Sequence, residues 1–238
     1  MIKNYTDTIN LFAFPYAGGN KYSYNNFIAH LPPNINMVTL EPPGRGARIR
    51  EPLMTDIREM AHELFEKNRQ RFQEPYIFFG HSMGSWLAYL VTHHIKNENA
   101  DLPAQLFLTG AGNPASYRHA TIKHRLNRAD FFNHLIDLGG LPGEVVEDED
   151  MQGYIEPILR ADFKAVETYR HIPSGPLEVP VTVMIGSSEK NVTYEIAQEW
   201  KNETTKQFEL IVFEGGHFFI NDHIPEIVSV ISSRMINN

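Results

Sequence analysis

Apolar positions along the chain alternate between two patterns. Short runs of consecutive apolar residues, which are typical of buried strands, are followed by segments with apolar residues at helical spacing. The predicted strands are residues 8–14, 35–40, 75–79, 104–109, 179–185 and 207–213. The predicted helices are residues 22–31, 56–72, 193–201 and 225–236, with one more directly after the third strand. This alternation predicts an α/β fold, with a mostly parallel, doubly wound sheet covered by helices on both faces.

One stretch interrupts the alternation. Residues 113–173 contain helical stripes, such as Phe131, Phe132 and Leu135, but no clear strand. Because this stretch is inserted between two strands, we expect it to fold as a lid over the carboxyl ends of the strands, where such folds bind ligands. The whole chain, residues 1–238, is then expected to form a single domain with this helical insertion.

The third predicted strand runs directly into Gly80-His81-Ser82-Met83-Gly84, and a predicted helix follows. A strand, a Gly-x-Ser-x-Gly turn and a helix, in this order, are the context of a nucleophile elbow. The turn should force Ser82 into a strained backbone conformation, and only glycine on either side allows the strand and the helix to approach so closely. Ser82 is therefore the candidate nucleophile, and the Met83 amide can stabilise a developing oxyanion.

A serine nucleophile needs a base, an acid that orients the base and a second oxyanion donor. His217 follows the last predicted strand and two glycines, so it is the candidate base. Glu189 is the first carboxylate after the fifth strand, whereas the loop after the fourth has none before Asp130. Glu189 is therefore the candidate acid. The Ala17 amide, in the glycine-rich turn after the first strand, is the candidate second donor.

Composition excludes several classes of function. The chain has 238 residues, 42% of them hydrophobic, which is enough for a sizeable core. It has no Cys, so disulfides and thiolate metal sites are excluded and a cytoplasmic location is expected. No set of His, Asp and Glu has metal-ligand spacing, so neither a metal nor a cofactor is expected. The formal charge of −8 argues against nucleic-acid binding, and no apolar run approaches the roughly 20 residues of a membrane span.

Taken together, the motifs resemble those of type II thioesterases, the stand-alone α/β-hydrolases that accompany nonribosomal peptide and polyketide synthases. The resemblance runs nearly from end to end of the chain. The motifs that carry it are Phe14-Pro15-Tyr16-Ala17-Gly18-Gly19, Pro43-Gly44-Arg45-Gly46-Ala47-Arg48, Glu51-Pro52, Gly80-His81-Ser82-Met83-Gly84, Leu138-Gly139-Gly140-Leu141-Pro142, Leu159-Arg160-Ala161-Asp162-Phe163, Glu167-Thr168-Tyr169 and Gly215-Gly216-His217-Phe218-Phe219. The chain departs from the family at Glu189, where Asp is usual, and at Tyr16, where His is common.

The resemblance implies hydrolysis of acyl or aminoacyl thioesters on the phosphopantetheine arm of carrier proteins. It implies Ser82, His217 and an acid on the 186–191 loop as the catalytic residues, with the Ala17 and Met83 amides as oxyanion hole. The lid would control access of the arm. No membrane or nucleic-acid partner is implied.

Arginines and lysines of two segments are candidates for ion pairs or for partner binding. Arg45 and Arg48 could pair with acidic residues of the lid or approach a carrier protein. A structural ion pair is the favoured interpretation, since Arg in a tight loop usually fixes that loop. Residues 118–128 are a basic run in an acidic chain. Such a run is usually a solvated helix face, but Lys123, Arg125 and Arg128 are also candidates for docking an acidic carrier protein.

Three other functions remain open at this point. A generic esterase would prefer small free oxyesters, and a chain-releasing thioesterase would act on finished fatty acyl groups. A catalytically weak carrier-binding module would bind without turnover, although the intact pair of Ser82 and His217 argues against it.

Overall fold

The fold is built around a parallel β-sheet. The computed structural model describes residues 8–72, 75–115, 121–141 and 143–236, and within these ranges the sheet has six strands. They are β1 (Ile9–Phe14), β2 (Ile35–Thr39), β3 (Tyr76–His81), β4 (Leu106–Thr109), β5 (Val181–Gly186) and β6 (Phe208–Phe213). Their order is β2-β1-β3-β4-β5-β6, and each neighbouring pair is parallel. The predicted α/β fold with a parallel sheet is confirmed.

Helices follow the strands and cover both faces of the sheet. They are α1 (Asn25–Ile28), α2 (Ile57–Asn68), α3 (Met83–Asn97), α4 (Arg128–Leu138), α5 (Gly143–Glu147), α6 (Glu149–Glu167), α7 (Tyr194–Gln198) and α8 (Ile224–Ile236). One core lies between the sheet and α2 and α3, and another between the sheet and α1 and α8. Strands β3, β4 and β5 are buried throughout, which explains why each reads as a continuous apolar run.

One predicted helix is much shorter than expected. The stripe over residues 22–31 predicts about ten helical residues, but α1 has only four. Side chains compete with the helix here, because Asn20 accepts a hydrogen bond from the Tyr22 amide and Ser23 accepts one from the Asn20 amide. The apolar stripe is also not a buried face, since the side chain of Ile28 is 54% exposed.

Between β4 and β5 the chain forms helices α4, α5 and α6. We call the described part of this region, residues 121–141 and 143–173, the helical insertion. It has a small apolar cluster of its own, formed by Phe131, Phe132, Leu135 and Leu159. Parts of the predicted lid and of the predicted basic run, residues 116–120 and Pro142, lie outside the described residues. No helix in the described ranges is both long and apolar enough to cross a membrane.

Candidate active site

Ser82 lies in the sharp turn between β3 and α3. Its φ of 55° and ψ of −119° are strained for a residue with a side chain, as predicted for a nucleophile elbow. A Cβ on Gly80 would lie 2.3 Å from the Gly84 carbonyl oxygen, and a Cβ on Gly84 would lie 1.9 Å from the Phe14 carbonyl oxygen. The two glycines therefore allow β3, α3 and the end of β1 to meet without side chains between them.

Two residues that sequence reasoning missed hold this turn in place. The Ser82 amide donates to the Thr109 carbonyl oxygen at 2.8 Å. The Ser85 hydroxyl donates to the Gly80 carbonyl oxygen at 2.8 Å and accepts from the Thr109 amide at 3.0 Å. These bonds satisfy buried backbone groups around the strained residue, and so they stabilise its conformation. Ser85 follows the elbow motif directly, but its partner Thr109 lies on another strand, β4, and this contact is not visible in the sequence.

The loops after β5 and β6 bring Glu189 and His217 together. A Cβ on Gly186 would lie 2.3 Å from the Gly216 carbonyl oxygen, so the two loops touch backbone to backbone. The Nδ1 atom of His217 lies 2.5 Å from the Oε2 atom of Glu189. The Glu189 side chain is only 1% exposed, so this hydrogen bond is shielded from water. Such a bond fixes the orientation of the imidazole ring and leaves Nε2 available.

Ser82 and His217 line the same cavity, which has a volume of about 120 Å³. Ala17 and Met83 also line it, and part of its wall is apolar, formed by residues such as Trp86, Phe163 and Val192. A second cavity of about 600 Å³ also has His217 in its wall and is lined by Lys123, Glu189 and Phe218, among others. The site therefore has one small compartment around Ser82 and a larger one that shares His217.

Ala17 and Met83, which follow β1 and β3, both line the small cavity. The Gly19 amide donates to the Tyr16 carbonyl oxygen at 2.8 Å, and Gly18 has a φ of 77°, which closes a tight turn over residues 16–19. Within the described residues, neither the Ala17 amide nor the Met83 amide has a hydrogen-bond acceptor. Two such amides at a cavity that contains a serine are suited to stabilise negative charge on an oxygen atom.

Burial keeps the residues next to His217 uncharged. Burial lowers the pKa of His81 well below its usual range, and the positive charge of a protonated His217 lowers it further. The two rings lie 4.9 Å apart, and Nδ1 of His81 is 2.9 Å from the Thr109 hydroxyl. Burial also raises the pKa of Tyr16. Tyr16 packs edge-on against His81 and Phe218, so it forms part of the apolar surroundings of His217.

The three candidate docking residues lie in different environments. Lys123 lines both cavities. Arg125 is exposed, and no ion pair or hydrogen bond of its side chain involves the described residues. Arg128 lies 3.6 Å from the Glu156 carboxylate and over the ring of Phe132, so it connects α4 to α6. Docking by these residues stays a prediction, and Arg125 is the best placed of the three to meet a partner.

Arg45 and Arg48 form the ion pairs that were expected. Arg45 is buried and pairs with Asp162 of α6, and Arg48 pairs with Glu51 and Glu63. Sequence reasoning allowed an acidic residue of the lid as partner but did not single out Asp162, which lies in the Leu159–Phe163 motif. Among the described residues, no group of three or more His, Asp or Glu side chains could hold a metal ion.

Sequence and structure comparisons agree on the family. The family model of the Thioesterase domain matches residues 9–235. Linear gramicidin dehydrogenase LgrE from Brevibacillus parabrevis is 30% identical over 228 residues, which are 94% of this chain and 87% of LgrE. The structure of ClbQ from the colibactin NRPS/PKS pathway has a TM-score of 0.91 at 28% identity, and the match covers 96% of this chain and 97% of ClbQ.

A solved type II thioesterase has the same fold. BorB from the borrelidin biosynthetic cluster has a TM-score of 0.89 at 30% identity, covering 97% of this chain and 94% of BorB. These matches extend over the sheet, the elbow and the helical insertion alike. The chain therefore belongs to the thioesterase family, as a type II thioesterase of the α/β-hydrolase fold.

Proposed function

We propose that this thioesterase removes acyl or aminoacyl groups from the phosphopantetheine arms of carrier proteins, with Ser82, His217 and Glu189 as its catalytic residues. The observation that carries the proposal is the bond between His217 Nδ1 and the buried Glu189 carboxylate at the cavity that Ser82 lines. ClbQ and BorB, to which the chain is similar, come from biosynthetic pathways for complex metabolites. A cytoplasmic location stays a prediction from the sequence.

In the first step the Ser82 oxygen attacks the thioester carbonyl carbon, and Nε2 of His217 takes the hydroxyl proton. Glu189 accepts the Nδ1–H bond, which keeps the imidazole in the productive tautomer and stabilises the imidazolium. Glu is one methylene longer than the Asp that is usual in the family. The 2.5 Å bond to His217 supports the view that the loop after β5 accommodates this extra length.

The tetrahedral intermediate carries its negative charge on the former carbonyl oxygen. The amides of Ala17 and Met83 stabilise this oxyanion. The intermediate then collapses, the carbon–sulfur bond breaks, and His217 returns the proton to the leaving pantetheine thiol. Water attacks the acyl-enzyme in the second step, His217 takes a proton from the water, and Ser82 is regenerated with the free acid as product.

The two cavities fit the two parts of such a substrate. The small cavity at Ser82 would take the acyl group, because part of its wall is apolar and its volume is only about 120 Å³. The larger cavity, which shares His217, would take the pantetheine arm. Under this assignment the helical insertion is a lid, and Lys123, Arg125 and Arg128 lie on the side from which the acidic carrier approaches.

Substitution of Ser82 by Ala tests the proposal. Ser82→Ala should abolish measurable hydrolysis of an acyl-loaded carrier protein, because no other nucleophile is assigned. Its melting temperature and its affinity for the carrier should stay close to those of the wild type. Ser85→Ala is the control, since Ser85 stabilises the turn but does not line the cavity. This variant should have a lower melting temperature and a kcat close to that of the wild type. Substantial turnover by a folded Ser82→Ala variant would exclude Ser82 as nucleophile.

A further inference from the structure

A buried carboxylate of the helical insertion bonds the backbone of the oxyanion turn. Asp162 lies on α6, and its side chain is 0% exposed. Its Oδ2 atom accepts a hydrogen bond from the Gly18 amide at 2.8 Å and another from Arg45 Nη1 at 2.5 Å. Its Oδ1 atom accepts from Arg45 Nη2 at 2.7 Å. Asp162 therefore joins three segments that are far apart in the sequence.

The same helix contacts the turn through an apolar side chain. A Cβ on Gly18 would lie 2.6 Å from a methyl carbon of Leu159, one turn before Asp162 on α6. Leu159 is itself buried, so α6 packs directly against the backbone of Gly18. A turn that is both hydrogen-bonded to one helix and packed against it is held in position by that helix.

We propose that Asp162 is a positioning residue for the oxyanion hole, and that the helical insertion thereby assembles the site that it covers. Gly18 follows Ala17, so a bond that holds the Gly18 amide also sets the direction of the Ala17 amide. Arg45 fixes the orientation of the Asp162 carboxylate by a bidentate contact. This inference rests on the proposed function, in which the Ala17 amide stabilises the oxyanion.

Loss of a purely structural ion pair and loss of a positioning contact should have different effects on stability and kinetics. Loss of a structural pair lowers the melting temperature and the fraction of folded enzyme, but each folded molecule keeps its turnover number. Loss of a positioning contact lowers kcat for each folded molecule with little change in KM, because the oxyanion forms only in the transition state. A displacement of about 1 Å in such a group is enough for a loss of roughly a hundredfold.

The test variant is the double variant Arg45→Met and Asp162→Leu, which replaces both charged residues by apolar residues of similar size. Such replacements often preserve stability, because neither charge is left buried alone. The variant retains no acceptor for the Gly18 amide. The matched control is Arg48→Met, which removes the ion pairs of a second arginine in the same loop, one that has no contact with residues 16–19.

Turnover is measured on a small free thioester and divided by the number of sites that a fluorophosphonate labels. Affinity for a boronic acid, which forms a negatively charged tetrahedral adduct with serine, is measured in parallel. For the double variant we expect kcat per labelled site and boronate affinity to fall together, by about tenfold to a hundredfold, with KM changed less than about threefold. For Arg48→Met we expect a lower melting temperature and an unchanged kcat per site.

Wild-type kcat per site and wild-type boronate affinity in the folded double variant would overturn the inference. If the double variant does not fold, Asp162→Asn is measured in the same way. In either orientation the Asn amide turns its NH2 group towards an N–H donor, either Arg45 Nη2 or the Gly18 amide together with Arg45 Nη1. The side chain therefore cannot keep the native position, so kcat per site should still fall severalfold, and an unchanged value would overturn the inference. Labelling of wild-type Ser82 does not depend on Asp162, so failure of the proposed nucleophile is recognised separately.

Discussion

Two histidine–glutamate pairs of nearly the same geometry lie in different regions of this molecule. His217 and Glu189 lie at the carboxyl edge of the sheet, and His124 and Glu167 lie in the helical insertion. In each pair Nδ1 is 2.5 Å from a carboxylate oxygen. The glutamate side chain is 1% exposed in both pairs. Distance and burial alone therefore do not distinguish a catalytic pair from a structural one.

The other contacts of the two carboxylates do distinguish them. Glu167 also accepts hydrogen bonds from the backbone amides of Lys123 and His124, at 2.7 and 3.1 Å. Its carboxylate thus holds one segment of the helical insertion to the end of α6. Beyond its bond to His217, Glu189 accepts only a local bond from the Asn191 amide among the described residues. It acts on the histidine that lines the cavity together with Ser82.

The sheet edge and the helical insertion therefore contribute to the site in different ways. Loops at the ends of β3, β5 and β6 carry the proposed catalytic side chains, and each loop continues directly from a strand of the sheet. The helical insertion has only a small core of its own and is held by individual polar contacts, including those of Asp162, Glu167 and Arg160. We expect substitutions at the sheet edge to change kcat and those in the insertion to change KM or stability, except at Asp162, whose contact with the Gly18 amide should act on kcat.

The largest expected difference between the regions is that between their two glutamates. Glu189→Gln should lower kcat by about 10²- to 10³-fold with KM little changed, because a neutral amide no longer stabilises the imidazolium and its NH2 group, when it faces Nδ1, holds the wrong tautomer. Glu167→Gln should instead raise KM and lower the free energy of unfolding by about 3 kcal/mol, because it breaks a buried network. Steady-state kinetics and denaturant unfolding of both variants check this split.

Two further variants control for the identity of the acid. Glu189→Asp should keep more activity than Glu189→Gln, because a carboxylate remains on a loop that can adjust. Glu195→Gln, at the next carboxylate along the chain, should leave kcat unchanged. If Glu195→Gln lost activity while Glu189→Gln kept it, the loop would present a different acid to His217.

A smaller effect is expected from the basic residues of the insertion. Arg125→Glu should raise KM for an acyl-loaded carrier protein several-fold and leave KM for a small free thioester unchanged, because an exposed docking charge acts only on the large partner. Lys123→Glu should change KM for both substrates, since Lys123 lines the cavities. Equal losses on both substrates for Arg125→Glu would count against docking at this position.

The smallest expected effect concerns a histidine that has no carboxylate partner. Burial lowers the pKa of His93 to about 4, and in the described residues neither ring nitrogen has a hydrogen-bond partner. Between about pH 6.5 and pH 4 the unfolded chain therefore binds a proton that the folded chain does not. Stability should be fully present above pH 6.5 and should fall as the pH drops towards 4.

His93→Leu checks this expectation. The melting temperature of the variant should decline less steeply between pH 7 and pH 4 than that of the wild type. Some decline should remain, because burial also lowers the pKa of His81. An identical slope in both proteins would show that His93 does not contribute to the pH dependence of stability.

The strands and the elbow could be predicted from the sequence because their signals are local. A strand buried on both faces requires a continuous apolar run, and β3 and β5 are such runs. The elbow requires glycine at both flanking positions for steric reasons that hold in any such turn. The helix over residues 22–31 was mispredicted because its apolar stripe is partly exposed and side-chain hydrogen bonds compete with the helix.

The sequence by itself determined the positions of the strands along the chain, the strained position of Ser82, and the loops that carry His217 and Glu189. It determined these because apolar runs, glycines and position after a strand are properties of short segments. Only the tertiary structure decided that Asp162 bonds Arg45, 117 positions away, and the Gly18 amide next to the proposed oxyanion donor. Such contacts depend on how a distant helix packs against the sheet, and no local sequence pattern indicates which residue pairs with a buried charge.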